Sequence, residues 1–142
     1  MSFPPENHDP SIDPTRDAVR ALRDHGPDGP VVMLNLLKFR EKAHYPEAMG
    51  VAPCSGEEAY GRYQQAFTRT VHAVSQAEVL FEGPASAAFI GDAKADRWDK
   101  VLLVRYPSRQ HFLAMMADPA YREALVHRYA GLERTVLIPV KG

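Results

Sequence analysis

An α+β fold made of two β-α-β halves is what this sequence predicts, and three observations carry that reading. Once residues 1–30 are set aside, the periodic segments run strand, helix, strand, strand, helix, strand. The first and third of these strands are apolar on both parities, so both of their faces need cover. The chain has 142 residues, 45% of them hydrophobic, and a chain of this length buries about 70% of its unfolded surface. It can therefore hold a core without staples.

Residues 1–12 are rich in proline and polar groups and are expected to form a loose arm. Asp13 reads as a helix N-cap with Pro14 at the first helical position. Ala18, Val19 and Leu22 form a short apolar stripe, and Gly26-Pro27 ends that helix. Residues 1–30 thus form an N-terminal arm and helix, and residues 31–142 the main unit. Val31 to Phe39 is the first core strand, and residues 40–54 are a long loop suited to a lid or a partner contact.

Ser55-Gly56-Glu57-Glu58 is a capping box. The helix after it runs to about Val74, burying Ala59, Tyr63, Phe67, Val71 and Val74. Ala77 to Ile90 is extended and broken at Gly83-Pro84, and Trp98 to Tyr106 is the third strand. Ser108 caps the next helix. Asp118-Pro119 interrupts it, because proline cannot donate its N–H, and Asp118 re-caps a second segment to about Ala130. Leu132 to Val140 is the last strand. This order is the ferredoxin-like split fold, with an added N-terminal helix. Helices cover one face of its sheet. The other face is apolar too, and a second copy of the chain is its simplest cover.

Charge excludes some function classes. Seventeen basic and eighteen acidic residues leave a net charge of −1, with no basic patch for nucleic acid or anionic membrane. The first residues lack the basic start and apolar run of a signal peptide, and no stretch is long enough to span a bilayer, so a cytoplasmic setting is expected. Cys54 is the only cysteine, and the six histidines show no zinc spacing. No metal or cofactor is expected.

An ordered series of short motifs carries a family resemblance. Asn35-Leu36-Leu37-Lys38-Phe39, Gly61-Arg62-Tyr63 and Trp98-Asp99 come first, followed by Tyr106-Pro107-Ser108-Arg109 and Asp118-Pro119-Ala120-Tyr121. His127-Arg128 and Leu132-Glu133 complete the series. Over residues 31–140 the chain resembles the DUF1330 family of small bacterial proteins, which is of unassigned function. The resemblance implies a dimeric α/β barrel in which two ferredoxin-like sheets pack face to face. Wider relatives include cofactor-independent monooxygenases, haem-handling enzymes and small isomerases, a breadth that forbids carrying chemistry over from fold alone.

The candidate site residues are polar groups on apolar stripes. Asn35 lies mid-strand, where a buried amide must be hydrogen-bonded, to the protein or to a ligand. Tyr63 is on the buried stripe of the first long helix, with Tyr60 about 60° around. Arg128 shares a stripe with Tyr121 and Leu125, and a buried guanidinium needs acceptors: Asp99, Glu133 or a ligand anion. His127 points elsewhere, in line with Ala120, Ala124 and Gly131. Trp98 reads mainly as packing and is a further ligand contact in the functional reading.

One reading is a small cofactor-independent enzyme, monooxygenase- or isomerase-like, acting on an organic acid or carbonyl compound. Asn35, Arg128, Tyr60 and Trp98 would bind it, with His127 and Tyr63 catalytic. The alternatives are a non-catalytic small-molecule binder and a structural homodimer.

Overall fold

The computed structural model describes residues 9–142. Its elements are α1 (Arg16–His25), β1 (Val31–Phe39), α2 (Gly56–Thr70), α3 (His72–Ser75), β2 (Glu78–Pro84), β3 (Lys100–Tyr106), α4 (Arg109–Ala117), α5 (Pro119–Gly131) and β4 (Leu132–Lys141). The four strands form one antiparallel sheet in the order β2-β3-β1-β4. This is the ferredoxin-like arrangement, in which each β-α-β half contributes one central and one edge strand.

Local chemistry sets the boundaries. Ser55 accepts from the Glu58 N–H at 3.0 Å, Ser108 from His111 at 3.2 Å and Asp118 from Ala120 at 2.9 Å. Each cap satisfies an N–H that the first helical turn leaves orphaned. Pro119 separates α4 from α5 as its missing N–H requires.

Strand register assigns the side chains to faces. Met33 opposes Val104 and Pro139, and Asn35 opposes Leu102 and Leu137. These residues point toward the helices. There the core forms, with Val31, Met33, Leu37, Met115 and Leu132 each at most 1% exposed. Full burial of an aliphatic side chain contributes about 1.5–3 kcal/mol. The opposite parity carries Val32, Leu34, Leu36, Val101, Leu103, Val136 and Ile138 on a face without helices.

Four expectations need correction. The first helix is capped by Thr15, whose hydroxyl accepts from Ala18 N–H at 3.1 Å, and not by Asp13. Residues 9–12 are no loose arm: Ile12 and the following Asp13 donate to the Asp9 carbonyl, and Ile12 is buried in the core. Residues 1–8 of that expected arm lie outside the described residues. The second strand stops at Pro84, because residues 85–99 find no partner strand, and Trp98 precedes β3. The capping box is half formed, with a bond to Ser55 Oγ and none shown from the Glu58 carboxylate.

Candidate functional site

A cavity of about 870 Å³ lies between the helix-facing side of the sheet and the helices. That falls within the roughly 300–1,000 Å³ usual for small-molecule sites. Its floor includes Met33, Asn35, Leu102 and Val104, and its walls Tyr60 and Tyr63 from α2 and Tyr121 and Arg128 from α5. Ile12, Asp13 and the inner side of α1 line it on the side away from the sheet, and it stays partly open to solvent. The lining is more apolar than polar, and its charged side chains are Asp13, Glu82 and Arg128.

Arg128 is the dominant one. Its side chain is only 12% exposed, and its one hydrogen bond among the described residues runs from Nη1 to Asp13 Oδ1 at 3.4 Å. A guanidinium has five N–H donors, so most of its capacity remains open to the cavity. Burial works against its charge. The Tyr121, Tyr63 and Tyr60 hydroxyls and the Asp13 carboxylate outweigh that and raise its pKa.

Three tyrosines stack around it. Ring centroids of Tyr60 and Tyr63 are 5.2 Å apart and those of Tyr63 and Tyr121 5.9 Å apart. The Tyr63 hydroxyl donates to that of Tyr121 at 3.0 Å. Burial pushes the Tyr60 and Tyr63 hydroxyls well up. Both stay protonated: the Tyr63 proton goes to Tyr121, that of Tyr60 is open to an acceptor, and neither acts as a base near neutral pH. Asn35 spends its amide N–H₂ on the carbonyls of Met33 and Leu102, at 3.1 and 3.3 Å. Its Oδ1 has no partner among the described residues, so it offers the cavity an acceptor.

The structure therefore brings together Asn35, Tyr60, Tyr63 and Arg128. It does not bring His127 or Trp98 to them. His127 lies on the other side of α5, its Nδ1 2.7 Å from the Tyr45 hydroxyl. Arg62 donates to that same hydroxyl at 3.1 Å. Trp98 lies under Arg134, whose guanidinium carbon is 4.0 Å from the ring centroid. Neither expected partner of Arg128 reaches it: Asp99 accepts from the Phe39 N–H at 2.8 Å and Glu133 pairs with Lys38 at 3.9 Å. The partner is Asp13, for which the sequence predicts a helix cap. Asp13-Pro14-Thr15 holds two residues that cap helices well. With Thr15 capping, the other is free to turn inward, and that alternative was the available signal.

Among the described residues no group of three or more His, Cys, Asp or Glu is placed to hold a metal ion. None of their helices is long and apolar enough to cross a membrane.

The family model described as a domain of unknown function, DUF1330, matches residues 51–142. Two crystal structures of RPA0582, a protein of unknown function from Rhodopseudomonas palustris, are similar over 92% of this chain. The methylated form is 34% identical over 93% of its own chain with a TM-score of 0.82, and the other form 35% over 95% with 0.81. The Arabidopsis thaliana protein At3g17210 is 16% identical, covers 79% of this chain and 94% of its own at a TM-score of 0.51, and shares the fold alone. No curated protein matches the chain.

Proposed function

The chain belongs to the DUF1330 family, whose function is unassigned, and from its own cavity we propose that it binds a small, largely apolar organic acid. One observation carries this: Arg128 sits in a cavity of about 870 Å³ with a single long hydrogen bond. A guanidinium takes a carboxylate with two parallel bonds. The tyrosine rings offer an aromatic or aliphatic body a flat apolar surface and hydroxyl donors, and Asn35 Oδ1 accepts from a ligand hydroxyl or amine. The cofactor-independent enzyme reading has less support. Its proton carrier, His127, is outside the cavity, and the tyrosine hydroxyls there are held protonated. Ligand-observed NMR tests the proposal: benzoate signals broaden with the protein present, and benzyl alcohol, of similar shape and no charge, broadens far less. Equal behaviour of the two defeats it.

The same proposal extends to the quaternary state, a homodimer through the helix-free sheet face. Phe81 is 56% exposed there, and Ile138 and Val140 each 46%. The loop after β2 is tied toward this face by Arg134, which donates to the carbonyls of Ala95 and Arg97. That loop holds Phe89 and Ile90 at 99% and 91% exposure. Apolar groups this exposed mark association surfaces.

A further inference from the structure

Residues 9–27 lie across the cavity and are fastened at their two ends. At the far end, Arg109 of α4 donates from Nη1 to the carbonyls of Gly26 and Pro27, both at 2.9 Å, and from Nε to that of Arg23 at 3.2 Å. Carbonyls that the last turn of α1 leaves orphaned are satisfied in this way. At the near end, the Thr135 N–H donates to the Ser11 carbonyl at 2.9 Å, Ile12 is 6% exposed and Asp13 meets Arg128. Between these ends α1 buries none of its residues, although Ala18, Val19 and Leu22 line the cavity. A helix with few buried contacts opens at low free-energy cost, so its attachments at either end hold it.

Asp13 stands where the ligand's acid group belongs. Its carboxylate meets Arg128 at 3.4 Å, longer than the roughly 2.7–2.9 Å of a good charge-assisted bond. We infer that Asp13 is a built-in stand-in for the ligand carboxylate, and that residues 9–27 form a strap released from Arg128 when a carboxylate ligand enters. The inference rests on the reading of the cavity as an acid-binding site. Exchange of one carboxylate for another keeps Arg128 paired while Asp13 regains its hydration in water. A neutral ligand has nothing to exchange, so the strap makes the site selective for anions. It also scales the apparent affinity by the fraction of time it stands open.

The test uses the full chain with benzoate as the probe, titrated by calorimetry and followed by amide hydrogen exchange. Asp13→Asn should bind benzoate at least tenfold more tightly than the parent. Saturating benzoate should speed exchange of residues 9–27 in the parent. Should Asp13→Asn fail to fold, Ile12→Ser unseats the same segment with the carboxylate intact and should tighten binding likewise. Equal affinity in parent and variant, or a strap better protected with benzoate, overturns the inference and leaves the cavity reading standing. Benzoate binding to none of these chains overturns the cavity reading and the strap with it.

Discussion

The Tyr45 hydroxyl and His127 Nδ1 stand 2.7 Å apart, and Arg62 donates to the same hydroxyl at 3.1 Å. The oxygen accepts from Arg62; with the imidazole proton on Nε2 the hydroxyl donates to His127 Nδ1, and with it on Nδ1 the hydroxyl accepts a second time. This relay fastens the loop of residues 40–54 to α2 and α5.

The first prediction concerns pH. Desolvation, and then the nearby Arg62 charge, hold the His127 pKa below its ordinary value, about 6.5. Between the two values the unfolded chain binds more protons than the folded one, so stability falls as pH drops through that window. His127→Gln should flatten the dependence of Tm on pH just below 6.5, relative to the parent. Parallel curves for the two proteins contradict the assignment.

Two glycines make an opposed pair. At Gly131 an added Cβ would stand 2.5 Å from the Gly56 carbonyl oxygen and 2.9 Å from the Tyr60 nitrogen, both backbone atoms. At Gly61, mid-helix in α2, it would meet nothing within 4 Å. Gly131→Ala should destabilise by about 1–3 kcal/mol or more through overpacking, and Gly61→Ala should stabilise by about 0.5–1 kcal/mol. Urea unfolding measures both.

The legible part of this molecule is what periodicity and caps encode. Val31–Phe39, the Ser55, Ser108 and Asp118 caps and the break at Pro119 were all readable, because each depends on neighbours a few residues away. The site was half legible. Asn35, Tyr60, Tyr63 and Arg128 stood out as polar groups on apolar stripes. His127 and Arg128 are adjacent in sequence, yet about 100° of helix rotation sends one to Tyr45 and the other to the cavity. The partner of Arg128 lies 115 residues away, beyond any local pattern. Gly61 and Gly131 look alike in sequence, and only the approach of α2 to α5 separates them.

Tyr63→Phe removes the buried hydroxyl bond to Tyr121. The loss should be about 0.5–1.5 kcal/mol of stability, with the stack of rings kept. Chemical denaturation checks it, and an unchanged midpoint would mean that the hydroxyl pair is not formed in solution.

Self-association is tested on the helix-free face. The parent should sediment as a dimer at micromolar concentration, with an interface on the order of 2,000 Å² or more in total. Leu103→Asp, in the middle of that face, should give a monomer or an insoluble chain. A monomeric parent removes the dimer.

Arg128→Lys tests the central claim most directly, because lysine keeps the charge and loses the planar fork. The variant's Tm and its affinity for benzoate are measured side by side by thermal unfolding and calorimetry. If Arg128 clamps a ligand carboxylate, the variant melts close to the parent and binds benzoate at least tenfold more weakly, a loss of about 1.4 kcal/mol. A variant that melts far lower, or that binds benzoate as well as the parent does, contradicts the claim.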